Sequence, residues 1–382
     1  MKIRVFEAFA GYGSQAMALK RLKQDYSDFD YVVVGVSEIE KNAIAAYKAV
    51  HGNCLNYGDI SKIDWNNVPR FDLFTYSFPC QDVSTAGFQN GLSEGSGTRS
   101  SLLWECRKAI IAKKPKYLLM ENVPNLVSKK FMPYVQKWMD ELASHGYNNY
   151  ISKLNAKDFG TPQNRNRVFM VSILGDDKFE FPKPFPLDKR LKDILETNVD
   201  EKFYIDPDRA KDMIAMLDIK QSDKILRIGH YAPSGHNGCT IVHPEGIAPT
   251  VMDNHGCPTA IIEIYGFGRS RDKKGNVVSR HLNSYINCLH TQVSGGRNMD
   301  VLVAEQHFDL TFAIRKLTPT ECFRLMDVAD ADIKKIQDAG ISKSKQYVLT
   351  GNSICVNVLY HIMEQMFRLK KSDNRDSQLT LF

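Results

Sequence analysis

The sequence predicts a doubly wound α/β fold with a second, smaller lobe that is mostly β and irregular. Three observations carry this reading. From residue 1 to about residue 175, short β-branched or apolar runs alternate with longer amphipathic segments, the pattern of a parallel sheet with helical crossovers. The proline-rich stretch EFPKPFPLD, residues 180–188, then breaks the alternation, and the chain up to about residue 310 is rich in glycine, histidine, asparagine and short β-like runs. Beyond it helical periodicity returns, in KLTPTECFRLM with its Thr-Pro start and in GNSICVNVLYHIMEQMFRL after a glycine turn.

Taken in order, the strands are IRVFEAF, YVVVGVS, FDLFTYS, KYLLMEN and a later pair near NYISKLNA and RVFMVSIL. Between them SQAMALKRLK, EKNAIAAYKAV, RSSLLWECRKAII and MPYVQKWMDELASHG space apolar residues at helical intervals. No apolar stretch approaches the roughly 20 residues that span a bilayer, and MKIRVFEAFAGYGS turns into glycines where a signal peptide would stay apolar. A cytoplasmic protein without membrane association is expected. The eight cysteines form no CxxC pair, which argues against both a disulfide framework and a zinc ribbon. The spacings of His230, His236, Cys239, His243, His255 and Cys257 match no standard zinc pattern, and no metal is expected. A net charge of +6 is compatible with a polyanionic partner without requiring one.

In a doubly wound sheet, reactive groups gather beyond the carboxyl ends of the strands. The first strand runs into AGYGS, where Gly11 and Gly13 let backbone approach a ligand and the next helix offers its N-terminus. The second ends at Glu38, 25 residues after Gly13, near the spacing at which a carboxylate grips ribose hydroxyls; Asp59 adds a polar group at the same rim. Singly each reads as a cap or a solvated turn, and together they point to an adenosine-containing cofactor. The third strand leads to Cys80, and another ends at Glu121 in MENV. A thiolate nucleophile with a carboxylic acid nearby suits addition to an electron-poor ring. QDVSTAGFQNGLSEGSGTRS, after Cys80, is polar and glycine-rich enough to serve as a closing lid. Arg165 and Arg167 occupy alternate positions entering a strand, which sends both to one face. They belong either to an exposed ion-paired strand or to a site that binds carbonyl oxygen and phosphate.

The run VFEAFAGYGS, Glu38, GDI, SFPCQ, GTRSSLLWE, LLMENV, QNRNRVFMVSI, RKLTPTECFRLM and GNSICVNVL resembles, in order and over nearly the whole chain, the DNA cytosine carbon-5 methyltransferases of bacterial or phage restriction-modification type. The resemblance implies a Rossmann-like catalytic domain at residues 1–183, completed by 346–369. It also implies a target-recognition domain with its hinge at 184–345, ahead of a flexible tail at 370–382. It implies S-adenosylmethionine as methyl donor, held by Phe9, Gly11, Tyr12, Gly13, Glu38, Asp59, Ile60, Leu102, Asn352 and Ser353. Ser14 stands where the family often has glycine, and Ile39 where it often has an aromatic residue. Cys80 would attack carbon 6 of a cytosine flipped out of duplex DNA while Glu121 gives a proton to ring nitrogen 3. Arg165 would hold the base carbonyl, with Arg167 beside it. Gln81, Ser84 and Arg99 would lie near the nucleotide, and Arg269 and Arg271 would bind phosphate.

The resemblance leaves two alternatives open: a tRNA cytosine methyltransferase, and a catalytically silent DNA-binding protein of the same fold. A monomer is expected. The final residues QLTLF resemble short clamp-binding peptides, so Gln378, Leu381 and Phe382 either engage a replication sliding clamp or pack on their own domain.

Overall fold

A computed structural model describes residues 1–79, 99–205, 220–222, 225–230, 240–252, 259–271, 277–282 and 308–370. Of these, residues 99, 220–222, 225–230, 263–271, 277–282 and 308–312 are described as backbone. The chain divides into two compact units. The first comprises Met1–Lys189, Thr250–Gly256 and Pro319–Phe382, and the second comprises Arg190–Pro249 and Cys257–Thr318.

The first unit is built on a six-stranded sheet of order β2-β1-β3-β4-β7-β5. Its strands are β1 (Lys2–Ala8), β2 (Asp30–Ser37), β3 (Leu73–Tyr76), β4 (Tyr117–Asn122), β5 (Tyr147–Asn155) and β7 (Asn166–Leu174), with β6 (Gln163–Asn164) a two-residue strand between the last two. Strand β1 lies between β2 and β3 and is parallel to both, and β4 runs parallel to β3. Helices α1 (Ser14–Asp25), α2 (Lys41–His51), α3 (Leu103–Lys113) and α4 (Met132–Ser144) supply the crossovers. One strand departs from the parallel pattern: β7 is antiparallel to both β4 and β5. Residues 156–165, which join β5 to β7, are fewer than the dozen or so that a parallel crossover needs.

Helices on both faces explain why the run YLLMEN is buried throughout. Strand alternation splits it: Tyr117 and Leu119 enter one core, Leu118 and Met120 the other. The first core joins Leu19 and Leu22 of α1 to Val356, Leu359 and Met363 of the C-terminal helix. The second is aromatic, with Phe6, Trp65 and Phe74 packed edge-on or tilted and Trp104 edge-on to Trp138.

The C-terminal part forms α5 (Pro319–Arg324), α6 (Asp330–Asp338), α7 (Lys343–Gly351) and α8 (Val356–Met366). The chain rejoins the first unit at Pro319, not at residue 346 as the sequence led us to expect. Contacts distant in sequence account for this: Phe323 of α5 packs edge-on against Tyr12 at 5.5 Å, Asp327 binds Arg21, and Asp332 of α6 meets Lys20 at 3.4 Å.

The second unit is β-rich, in keeping with the expected small lobe. Its strands are β8 (Lys220–Ser222), β9 (Ile225–His230), β10 (Thr240–Val242), the two-residue β11 (Ala248–Pro249), β12 (Ala260–Arg271), β13 (Val277–Leu282) and β14 (Phe308–Lys316). Its main sheet has the order β13-β12-β10-β9-β8, and β14 pairs antiparallel with β12 from Ala260↔Lys316 to Gly268↔Phe308. Ile241, Val242, Ile261, Ile262 and Ile314 are buried in it. Among the described residues no helix is long and apolar enough to cross a membrane.

Candidate active site

Strand β1 leads to β2 on one side and its sheet continues to β3 on the other, so the strand order reverses beside it. At such a switch point the loops after the strands part and leave a crevice. Here that crevice is a cavity of about 590 Å³ inside the first unit, lined by the residues that follow β1, β2, β3 and β4 together with the turn between α7 and α8.

The wall after β1 is a strained loop. Phe9, Gly11 and Gly13 have φ of 56°, 58° and 85°, and a side chain at φ 56° is uncommon enough to mark a constrained backbone. At Gly13 glycine is required sterically as well, because a Cβ there would sit 2.4 Å from His51 Nε2. Gly13 precedes α1 without a side-chain cap. Glu38 holds the loop from β2: its Oε2 accepts from the Gly11 N–H at 2.9 Å and its Oε1 from the N–H groups of Ile39 and Glu40 at 2.8 and 2.9 Å. Asp59 caps the 3-10 turn Ile60–Lys62 through Ser61, whose hydroxyl lowers the Asp59 pKa more than any other contact. Phe9, Gly11, Tyr12, Glu38, Asp59, Ile60, Leu102, Asn352 and Ser353 all line the cavity, whereas Gly13 lies behind the wall, against His51 and Tyr47. Ile39 stands 71% exposed at the rim. Ser14 shares a hydrogen bond of 2.9 Å with the Ser353 hydroxyl, which also donates to Tyr12 Oη.

At the ends of β3 and β4, Ser77, Phe78 and Pro79 line the cavity with Glu121, Asn122 and Val123. The Asn122 amide donates to the Phe78 carbonyl at 3.0 Å, and the Ser100 hydroxyl donates to that of Pro79 at 2.7 Å. Cys80, Gln81 and Ser84 lie outside the described residues, as do Gln378, Leu381 and Phe382. Arg99 opens a 3-10 turn, and Arg269 and Arg271 lie on β12 opposite Ser279 and Val277 of β13.

The two arginines both line the cavity but do different things. Arg167 Nε is 3.2 Å from Glu121 Oε1. Burial raises the Glu121 pKa, opposed first by Arg167, then by Arg165 and a hydrogen bond from Ser77. Arg165 is 2% exposed and committed to backbone: Nη1 donates to the Val251 carbonyl at 2.7 Å, and Nη2 to those of Gly351 and Ser353 at 2.7 and 2.6 Å. Among the described residues its Nε has no hydrogen-bond partner. The expectation that Arg165 holds a substrate carbonyl meets a guanidinium already occupied by three others; the arginine beside Glu121 is Arg167. Sequence reasoning also passed over Gln163, which donates to the Leu325 carbonyl at 2.6 Å and accepts from the Val251 N–H at 3.2 Å. Its place in QNRNR, two residues before Arg165, was the available signal.

A switch-point cavity with a glycine loop, a carboxylate after β2 and one reversed strand near the sheet edge defines a Rossmann-like methyltransferase domain. Residues 3–368 match the family described as C-5 cytosine-specific DNA methylase, and the chain belongs to that family. It is a DNA cytosine-5 methyltransferase. It is 34% identical to the type II methyltransferase M2.ScrFI of Lactococcus lactis subsp. cremoris, over 96% of this chain and 99% of that one. To the orphan methyltransferase M.SPRI of Bacillus phage SPR it is 30% identical, over 96% and 97%. Among solved structures, the Entamoeba histolytica methyltransferase EhMeth superposes with a TM-score of 0.66 at 17% identity, over 96% of this chain and 98% of that one. The S. pombe Dnmt2 methyltransferase does so at 0.60 and 18%, with the same coverage. At these identities the two structures speak for the fold.

Proposed function

We propose that the chain methylates carbon 5 of a cytosine flipped out of a specific duplex DNA sequence, using S-adenosylmethionine and a transient covalent bond to Cys80. The observation that carries this is that one cavity unites the glycine loop and Glu38 with the Glu121–Arg167 pair, while Pro79, the neighbour of Cys80, lines it too. The cavity suits the donor: its volume falls within the few hundred to about 1,000 Å³ of small-molecule sites. The uncapped start of α1 suits an anionic group, Glu38 and Asp59 suit hydroxyls, and Phe9, Ile60 and Leu102 offer apolar contact. Bound there, S-adenosylmethionine supplies an electrophilic methyl group.

The residues of the chain make carbon 5 able to take it. The Cys80 thiolate adds to carbon 6; the pair of the 5,6 double bond shifts into the 4,5 bond and that of the 3,4 double bond onto nitrogen 3, which takes a proton from Glu121, so carbon 5 becomes enamine-like. Burial raises the Glu121 pKa against the pull of Arg167 and Arg165, the direction that suits a proton donor to nitrogen 3. Arg167, not Arg165, takes the base carbonyl and places a positive charge by the reacting groups. Once carbon 5 carries the methyl group, its proton passes to water, the nitrogen-3 proton returns to Glu121 and the Cys80 thiolate leaves, which restores the aromatic ring. The second unit, with Arg269 and Arg271 on β12, reads the DNA.

Two measurements test this. Bisulfite sequencing of DNA from cells expressing the chain should show methylation confined to one sequence context. Cys80→Ser should abolish it while S-adenosylmethionine still binds within about threefold of wild type, because the thiol acts on the base. With 5-fluorocytosine at the target, the wild type should form an adduct that survives denaturant; an active enzyme that never forms one would sink the covalent mechanism.

A further inference from the structure

Behind the glycine loop lies a cluster that this chemistry does not use. Glu7 of β1 is 0% exposed, and its Oε2 accepts a hydrogen bond from Tyr47 Oη of α2 at 2.6 Å. Among the described residues its Oε1 is buried without a hydrogen-bond partner of good geometry, the Ala16 N–H standing nearby. The Tyr47 ring lies against that of His51 on the next turn of α2, with centroids 4.6 Å apart, and His51 Nε2 is 3.2 Å from the Tyr12 carbonyl oxygen. Burial lowers the His51 pKa to about 4, so the ring is neutral and Nε2 is the nitrogen that donates to this carbonyl.

Glu7, Tyr47 and His51 do not line the cavity, but the loop they touch does. The contact is close: a Cβ on Gly13 would lie 2.4 Å from His51 Nε2 and 2.8 Å from the Tyr47 ring. A cluster that only filled space would be apolar, since a buried carboxyl must be desolvated. Burial raises the Glu7 pKa to about 7, against the Tyr47 hydroxyl and the Ala16 N–H in the first turn of α1, which favour its charged form. The carboxyl therefore faces both the hydroxyl that steadies Tyr47 and the start of the helix that the loop leads into.

We propose that Glu7, Tyr47 and His51 form a strut of hydrogen bonds and ring packing that holds the loop of residues 9–13, left-handed at Phe9, Gly11 and Gly13, in the backbone conformation with which it walls the donor cavity. All three are positioning residues, and the role rests on the reading of the cavity as the donor site. The strut acts through direction, because the Glu7–Tyr47 bond fixes the tyrosine, the tyrosine packs the imidazole, and the imidazole fixes the Tyr12 carbonyl.

The test compares Glu7→Gln, which keeps an acceptor for Tyr47, with Glu7→Leu, which keeps the volume and removes the acceptor; Tyr47→Phe removes the donor. The full chain is titrated calorimetrically with S-adenosylmethionine and S-adenosylhomocysteine, and amide hydrogen exchange is followed without ligand. Glu7→Leu and Tyr47→Phe should raise both dissociation constants about tenfold, the order expected for one lost hydrogen bond. They should also speed exchange at residues 9–16 selectively, while Glu7→Gln stays within about threefold of wild type. Unchanged affinity in Glu7→Leu, or exchange that rises evenly along the chain, overturns the strut. If the wild type binds neither ligand but Glu7→Leu still loosens residues 9–16 alone, the strut stands and the reading of the cavity fails.

Discussion

At the scale of the residue, the same burial moves Glu7 and His51 in opposite directions, and the consequences can be separated by pH. Glu7 is raised from the usual carboxyl value to about 7 in the folded chain, so the folded state holds its proton more tightly than the unfolded one. Its contribution is most favourable below about pH 4.5, declines as pH rises to about 7, and is constant above. His51, lowered to about 4, does the reverse: the stability tied to its neutral form is full above about pH 6.5 and is lost as pH falls. Tyr47, Tyr31 and Cys54, which face Glu7, all have raised values and stay protonated through this window. The two slopes partly cancel in the wild type, and a difference against Glu7→Gln isolates the carboxyl. Urea unfolding should show Glu7→Gln gaining about 2 to 3 kcal/mol on wild type between pH 5 and pH 8, because burial raises the Glu7 carboxyl to about 7 and only the wild type ionises it over that range. A constant difference would mean that Glu7 titrates normally. None of this was legible in the sequence, where Glu7 is one more letter in VFEAF, because its burial depends on Tyr47 and Ala16 folding over it.

At the scale of the element, the turn through β6 into β7 shows what a motif reveals and what it leaves out. QNRNR marked two arginines at the site, and both line the cavity. The pattern could not divide their labour, because the partners of Arg165 come from residues 251, 351 and 353, far along the chain. The division predicts two different failures. Arg167→Lys keeps a charge but loses the planar contact with Glu121, and should lower the single-turnover methylation rate at least about a hundredfold while the melting temperature stays within a few degrees. Arg165→Met strands three carbonyls and should cost about 3 kcal/mol or more in denaturant unfolding, at about 1 kcal/mol or more per lost bond. An Arg165→Met chain as stable as wild type would show that the clasp is dispensable. The same physics hid the boundary at Pro319. Helices α5 and α6 look alike in sequence whichever unit they join, and only the packing of Phe323 on Tyr12 and the ion pairs to Lys20 and Arg21 decide it.

At the scale of the whole molecule, the alternation of strands and helices made the first unit readable, since its periodicity is local, whereas the second unit showed only as a change of composition. Two predictions concern parts that lie outside the cavity. If QLTLF is a clamp-binding peptide, the full chain should bind the host sliding clamp and a truncation lacking residues 378–382 should lose at least about tenfold in affinity, since tethering would raise the effective concentration on newly copied DNA. Equal binding by both chains, or none by either, rules it out. The other prediction is that sequence choice travels with the second unit. Phosphate contacts position a protein on DNA and base contacts specify, so replacing Arg190–Pro249 and Cys257–Thr318 with the matching parts of another family member should redirect methylation to that member's site. Residues 250–256 must stay native in the chimera, because Val251 belongs to the first unit and gives Arg165 one of its three carbonyls. Carrying them over as well should lower stability and activity without changing the sequence chosen. Bisulfite sequencing of both chimeras decides the matter: an active protein that still methylates the original site would place recognition in the first unit.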